Sequence, residues 1–576
     1  MRYSEILKAN KDLAHLLNDD EYNIRILSNI TTSQINEILE FTLRSGCIPA
    51  RVEAGNYDNI LQDSQKYSDS NVVIIFWELC NIIDGFHYKT ELLDDKQLEL
   101  IINKTKSEID FVLKNLMKTS LVLINTFTSL PFSHSNIRKN HLDDLAKQLN
   151  RYLDEKIPPN VRLVDIDKVI ASVGVSNSLD LRYFFSSKAL YTIDFYKAYA
   201  EFVNPFIMSA NGKAKKALIF DCDNTLWKGI LGEDRFDNIE MSLRTKDGAI
   251  FSEIQAMALD INKQGILIGL CSKNNPKDVD EVIESHMDMQ LRDEYITINK
   301  SNWLDKVSNL KAIAQELNIG LDSLVFIDDS SFEVNLIREQ LPEITVLQVP
   351  EKLYEYPTML RENIGLFYNL SFTSEDRGKI KMYKQQAKRE SKKKEFTDIE
   401  DYLASLELKI TIYQDDKTII PRISQLSQKT NQFNLTTKRY TEGNIKSFIE
   451  KDVSKVISFS VSDKFGDSGI TGLCIINFHN ETQSAIIDTF LMSCRIIGRN
   501  IEYAFIDYII KIIKEKKVNL VKASYIQTPK NEQVKEFFEK CSFVLTESTD
   551  SVRNYILDID NYKPRQLDFI EVINGK

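Results

Sequence analysis

Along residues 1 to about 205, short apolar runs alternate with segments of helical periodicity. Ile24–Ser28, Asn71–Trp77, Leu121–Thr126 and Val161–Asp165 are compact, β-branched and bounded by polar turns. Between them, Ser33–Arg44 and Asp95–Met117 repeat apolar residues every three or four positions. Strand-like runs separated by helical ones predict a parallel α/β sheet. Residues 206–370 repeat the pattern with sharper strands at Ala217–Phe220, Gly265–Cys271, Ser323–Ile327 and Ile344–Val349. A basic polar stretch follows at 374–396, expected to be a solvated linking helix, with a docking face for an acidic partner as the alternative. Beyond it, a helix near Ile420–Lys429, strands at Val456–Val461, Leu473–Phe478 and Ala485–Met492, a helix at Asn500–Lys514 and a strand at Leu520–Tyr525 predict an α+β or mixed domain.

Composition narrows the class. A chain of 576 residues implies three or four domains at roughly 150 residues each. The expected boundaries are 1–205, 206–370, a linker at 371–399, and 400–576. A net charge of −11 gives nonspecific nucleic-acid binding little electrostatic support. The seven cysteines lack metal-binding spacing and fit free thiols in a reducing compartment. The polar N-terminus has no apolar signal region, and no apolar run reaches the ~20 residues of a membrane span. The expectation is a soluble, cytoplasmic protein.

The chemistry concentrates in the second segment. An apolar strand, ALIF, runs into Asp221, Cys222 and Asp223. Two carboxylates spaced by one residue at a strand end can divide nucleophilic attack and proton transfer, beside a hard cation such as Mg²⁺. GILIGLCS ends in Ser272, whose hydroxyl can bond a phosphoryl oxygen. Lys306 opens an amphipathic helix and can neutralise a phosphoryl group. SLVFIDD ends in Asp328 and Asp329, which can complete a metal shell; Asp329 is the preferred ligand and Asp328 its support. These strand ends converge at the carboxyl edge of an open sheet, and charge neutralisation there is what phosphoryl transfer needs.

These motifs, in this order, resemble the haloacid-dehalogenase-like (HAD) superfamily. The resemblance implies Asp221 as nucleophile, Asp223 as general acid/base, Ser272 and Lys306 as phosphate-binding groups, and Mg²⁺ held by Asp221, Asp223, Asp328 and Asp329. About 50 residues separate Asp221 from Ser272 and about 35 separate Ser272 from Lys306, too few for a full cap domain, so an open site is expected.

More particular stretches are similar to the FkbH-like family: DCDNTLWKGILGED, with Trp227, Gly229 and Gly232–Asp234; SKNN at 272–275; Asn302–Trp303; KTNQFNLTTKRY at 429–440; DKFGDSGITG at 463–472; and FLMSCRIIGRNIE at 490–502. That resemblance implies dephosphorylation of 1,3-bisphosphoglycerate or a related acyl phosphate, with the glyceryl group loaded on the thiol of an acyl carrier protein. Thr225, Trp227 and Asn274 are then expected to contact substrate.

The C-terminal part resembles a GNAT acyltransferase. Arg495, Gly498 and Arg499 fall in the turn that would hold a pyrophosphate or phosphopantetheine phosphate, with Asn500 where the pattern has a small residue. Cys494, before a helix and beside Arg495, is a candidate acyl-accepting thiol, with Cys271 as rival and core packing as the plainer role. The N-terminal part resembles a degenerate SGNH hydrolase. Ser28 sits at the nucleophile position, but Asp180 is followed by Leu181, Arg182 and Tyr183, and no His lies between 142 and 285, so it is expected to be noncatalytic. The fold class expected is therefore a multidomain α/β chain: an SGNH-like domain, a HAD-type Rossmann-like parallel sheet, then a GNAT-like α+β domain. The competing functions are a stand-alone phosphatase on a sugar or acyl phosphate, and a noncatalytic biosynthetic scaffold.

Overall fold

The computed structural model describes residues 1–14, 21–370, 382–386, 389, 392, 396, 398–528 and 530–575. Most of the basic stretch 374–396 lies outside them. The chain divides into two compact units, residues 1–211 with 439–444, and residues 212–438 with 445–576.

The first unit holds β1 (Tyr22–Ser28), β2 (Ala50–Ala54), β3 (Val72–Phe76), β4 (Leu121–Asn125) and β5 (Val161–Val164). They form a parallel sheet in the order β2-β1-β3-β4-β5. VVIIF and LVLIN are buried at every position, as a sheet covered on both faces requires. The helix Asp95–Asn115 starts on a capping box, Asp94 with Gln97. β2, with the sequence ARVEA, was not expected, because at an edge its apolar run is too short to stand out.

The second unit begins with β6 (Ala217–Phe220), β7 (Leu267–Ser272), β8 (Ile296–Ser301), β9 (Leu324–Asp328) and β10 (Thr345–Gln348). These form a second parallel sheet in the order β10-β9-β6-β7-β8. Side chains of β6 alternate between two cores: Leu218 and Phe220 pack on one face, Ala217 and Ile219 on the other. The central strand β6 is hydrogen-bonded on both sides, so the residues after it emerge at the middle of the carboxyl edge, between β7 and β9.

The rest of the second unit is a mixed sheet of β11 (Leu408–Gln414), β12 (Phe433–Asn434), β13 (Ser454–Asp463), β14 (Gly466–His479), β15 (Ser484–Met492), β16 (Leu520–Ile526), β17 (Val544–Ser548), β18 (Val552–Asp558) and β19 (Ile570–Asn574). The helix Ile501–Glu515 buries Ile501, Phe505, Ile509 and Ile513 in its core. The multidomain α/β class expected is the class found. Among the described residues, no helix is long and apolar enough to cross a membrane.

Candidate active site

Asp221 follows β6, and its backbone N–H donates to the Ile327 carbonyl of β9 at 2.9 Å. The chain then turns tightly: the N–H groups of Thr225 and Leu226 donate to the Cys222 carbonyl at 3.1 and 2.8 Å. Asn224 takes a left-handed conformation at φ +51°, and its side-chain oxygen accepts from Gly229 N–H at 3.0 Å. Gly229 has φ +104°, and a Cβ there would lie 2.8 Å from Asp234 Oδ2, which itself accepts from Ile230 N–H at 2.7 Å. The stretch DCDNTLWKGILGED is thus a self-bonded loop.

That loop holds the Asp223 carboxylate on three donors. Trp227 Nε1 and Leu231 N–H donate to Oδ1, and Asn274 Nδ2 donates to Oδ2, each at 3.0 Å. Asn274 also donates to Ser272 Oγ at 3.3 Å, linking the end of β7 to the acid. Lys306, the first residue of the helix Lys306–Leu317, puts Nζ 3.2 Å from Asp221 Oδ2 and 2.6 Å from Asp328 Oδ2. The second oxygen of Asp328 accepts from Ser330 N–H at 2.9 Å. Asp221, Ser272, Lys306 and Asp328 are all buried.

Burial sets the electrostatics. Desolvation pushes the Asp221 carboxyl up to about 6, with Lys306 and the Ser272 hydroxyl pulling it down and Asp328 pushing it further up. Asp328 and Asp329 are raised by the same desolvation. Burial works to lower Lys306, but Asp221 and Asp328 together outweigh it and hold the ammonium above its ordinary value.

Asp221, Asp328 and Asp329 each offer an oxygen, and the three oxygens lie within 4.8 Å of one another. Asp221 Oδ1 is buried with no hydrogen-bond partner. Three carboxylates against one ammonium, with an orphaned buried oxygen aimed among them, fit a hard divalent cation such as Mg²⁺.

The structure redistributes several expected roles. The Asp223 carboxylate lies outside the three-oxygen group, because its acceptor sites are taken by Trp227, Leu231 and Asn274. Trp227 is fully buried and touches Asp223 through its indole N–H. Thr225 is also fully buried, with its carbonyl accepting from Tyr356 Oη at 3.2 Å. Sequence reasoning missed Tyr356; it lies 135 positions after Asp221 and carries no motif.

Cys494 is not brought to this site. Asn318, which ends the helix begun by Lys306, donates from its side chain to the Cys494 carbonyl. Twelve helical residues separate the two ends, about 18 Å at 1.5 Å per residue. The neighbouring arginines are engaged in structure. Arg495 donates to Ser493 Oγ and Met382 Sδ. Arg499 donates to Asp463, Gln386 and the Arg495 carbonyl. Only Gly498 stays open, at φ +82° with nothing within 4 Å of where a Cβ would be. Past Ile487 and Ala523 the parallel strands β15 and β16 part, and the chain fills the gap itself. Leu435 N–H donates to the Phe490 carbonyl, and Ile526 N–H donates to the Leu435 carbonyl. The rival thiol, Cys271, is buried in the core that holds Ala217 and Ile219, with its Sγ 3.9 Å from the Lys306 carbonyl, and burial pushes it upward.

In the first unit, Ser28 Oγ accepts from Ile30 N–H at 3.0 Å. Asp180 is paired with Arg182 at 2.7 Å.

The fold and site define a class: a parallel α/β domain with a buried carboxylate–lysine cluster at its carboxyl edge. The chain is similar to the N-terminal part of the protein BF1531 from Bacteroides fragilis, which contains a phosphatase domain and was solved with Mg. The two share 23% identity over 65% of this chain and 100% of that one, with a TM-score of 0.55, a likeness of fold. Smaller parts of the chain match the ribosomal-protein-S18-alanine N-acetyltransferase of Escherichia coli (13% identity, 26% of this chain, 94% of that one, TM-score 0.21). Mutant forms of the spermidine/spermine N-acetyltransferase SpeG of Vibrio cholerae match similarly (13%, 27% and 95%, TM-score 0.21). No family model and no curated protein matches the sequence.

Proposed function

We propose that the chain is a Mg²⁺-dependent phosphotransfer enzyme that removes phosphate from a small phosphorylated substrate. The observation that carries this reading is the Asp221–Lys306–Asp328 cluster, with a second carboxylate, Asp223, held on three donors beside it. An Asp221 oxygen attacks phosphorus, forming an aspartyl phosphate as the bond from phosphorus to the substrate oxygen breaks. Asp223 supplies the proton to the departing oxygen. It then takes a proton from the water that hydrolyses the aspartyl phosphate, releasing inorganic phosphate and restoring Asp221. Lys306 and Ser272 hold the phosphoryl oxygens. Asp221, Asp328 and Asp329 would hold Mg²⁺, which supplies positive charge against the developing phosphoryl negative charge.

The finer reading is that the substrate is 1,3-bisphosphoglycerate, that a thiol of an acyl carrier protein attacks its acyl carbon and expels inorganic phosphate to form a thioester, and that the Asp221 site removes the remaining phosphate ester to leave the glyceryl group. Exposed apolar side chains around the site support a protein-sized partner: Trp303 and Leu304 precede Lys306, Phe332 follows Asp329, and Ile230 adjoins the Asp223 loop. The stand-alone phosphatase is the second reading. It is favoured by the distance of Cys494 from Asp221 and by the chain filling the gap between β15 and β16.

Asp221→Asn is expected to lower Mg²⁺-dependent phosphate release at least about a thousandfold while leaving circular dichroism unchanged. Wild-type rates in that variant would sink the mechanism. Intact-mass analysis of a carrier protein incubated with 1,3-bisphosphoglycerate, Mg²⁺ and the enzyme separates the two readings. A glyceryl adduct supports transfer, and phosphate release without one supports the phosphatase. Cys494→Ala is expected to leave both outcomes as they are.

A further inference from the structure

A cavity of about 580 Å³ lies wholly within the first unit, a volume ordinary for a small-molecule site. It opens where the winding of the sheet reverses. In the order β2-β1-β3-β4-β5 the chain leaves β1 toward β2 on one side and leaves β3 toward β4 on the other. Open α/β sheets bind ligands beyond the carboxyl ends of the strands at such a point. Thr31, Ser33 and Gln34, just after β1, form one wall, and residues between 177 and 196 form the rest. Tyr191, one of these, donates to Glu78, two positions past β3. Ser28 is buried and does not line the cavity, so this space is distinct from that strand-end serine.

Hydrogen bonds pin the walls to one another. Thr31 donates from its N–H to the Lys188 carbonyl at 3.1 Å and from Oγ1 to the Ser187 carbonyl at 2.7 Å. Thr192 donates from its N–H to the Ser178 carbonyl at 3.0 Å and from Oγ1 to the Asn177 carbonyl at 2.7 Å. A preformed cavity loses little conformational freedom when it is filled. Its lining includes no Lys, Arg or His. Its two acids are already compensated: Asp180 is held by Arg182 at 2.7 Å, and one oxygen of Asp194 by Lys197 at 3.0 Å. A phosphate or carboxylate would therefore be desolvated here without a counter-charge. What the wall offers is uncharged. Gln34 precedes the helix Ile35–Ser45 without capping it, and Asn177 spends its amide nitrogen on the Val173 carbonyl, leaving its oxygen as an acceptor. Tyr191 and Tyr196 commit their hydroxyls to Glu78 and to the Thr31 carbonyl, so they give the cavity ring carbon. Tyr183 adds a third ring, 60% exposed.

Aromatic carbon interleaved with amide and hydroxyl groups, with no net charge, suits a ligand that has apolar C–H faces and a rim of hydroxyls. We infer that this cavity binds a neutral sugar. The inference does not depend on the phosphotransfer reading. The full chain, in EDTA, is mixed with millimolar glucose, galactose, mannose or N-acetylglucosamine, and binding is read by saturation-transfer NMR and by hydrogen exchange. At least one of the four is expected to receive saturation and to slow exchange several-fold at amides 31–37 and 189–196. Asp221→Asn should bind it as the wild type does, which separates this site from the phosphotransfer centre.

Tyr183→Ala/Gln34→Ala changes two exposed side chains and should lower the saturation transfer several-fold without altering circular dichroism. Glucuronate, a sugar that carries a carboxylate, should bind more weakly than its neutral counterpart glucose. No transfer to any of the four sugars overturns the proposal, as does equal transfer by wild type and the double variant. Slowed exchange confined to amides elsewhere, or glucuronate binding as well as glucose, overturns it too.

Discussion

The indole of Trp227 is a buried donor to a carboxylate of the candidate site. Its N–H donates to Asp223 Oδ1, and the ring is sealed in the core with Leu226, Leu231 and Met241. Replacing it by Phe keeps most of the packing and removes one of three donors to the acid. Loss of a buried hydrogen bond to a charged group costs about 1.5–3 kcal/mol, roughly ten- to a hundredfold in rate if it falls on the transition state. Trp227→Phe is therefore expected to lower kcat by that factor with KM nearly unchanged. A change confined to KM would place Trp227 against the substrate instead. Asp221, Asp223, Ser272, Lys306 and the Asp328–Asp329 pair were legible as residue types at strand ends. Which oxygen of each faces which neighbour was not, because that depends on donors as far along the chain as Asn274 from Asp223 and Lys306 from Asp221.

At the scale of elements, the segment before the C-terminal helix changes meaning once its partners are known. RIIGR reads as an anion-binding turn. In the structure its arginine Arg499 joins Arg389 on the carboxylate of Asp463, at 3.3 and 2.8 Å, with all three side chains almost wholly buried. One carboxylate therefore serves two buried guanidinium groups. Removing it leaves both cations without their shared counter-charge, which typically costs about 3–5 kcal/mol. Asp463→Ala should lower the unfolding free energy of the C-terminal part by that amount, followed by hydrogen exchange on β13 and β14 amides. A loss below 1 kcal/mol would mean that the arginines find other partners. The stretch QFNLTT undergoes a similar change of meaning. It reads only as part of the KTNQFNLTTKRY motif, yet Phe433–Thr436 bonds to β15, and Leu435 to β16, sealing the gap between those strands.

At the scale of the whole molecule, the two compact units carry their ionisable groups differently. The second buries two charged clusters, Asp221, Lys306 and Asp328 at the carboxyl edge of the β6–β10 sheet and Asp463 with Arg389 and Arg499 in the C-terminal part. The first buries the acid Glu78, whose carboxyl accepts from Tyr191 Oη at 2.9 Å. Desolvation pushes Glu78 from 4.5 up to about 7. A carboxyl raised on folding takes up a proton between those two values. The unit is therefore more stable below about pH 4.5 than above 7 as far as this group is concerned, and loses about 3 kcal/mol as pH rises through that window. Glu78→Gln should flatten this dependence and raise stability at pH 8, read from hydrogen exchange of β3 amides between pH 5 and 8. An identical pH slope in the variant would show that other groups govern it.

Hydrophobic periodicity by itself determined the alternation of strand and helix in both parallel sheets, since a strand buried on both faces must be apolar at nearly every position. It also determined that Asp221, Ser272 and Asp328 end their strands, and hence that they share one edge. It left β2, β8, β11, β12, β17, β18 and β19 unseen, because short strands and strands buried on one face only do not shape an unbroken apolar run. Tertiary structure alone decided what lies far from what. Lys306 and Asn318 are the two ends of one helix, so a thiol held at Asn318 is a helix length from the acid held at Lys306. It also decided the fate of Arg499, whether it would cradle a ligand or hold the fold together. A guanidinium bonds whichever acceptor the packing places within reach, and here that acceptor is Asp463, 36 positions earlier in the chain.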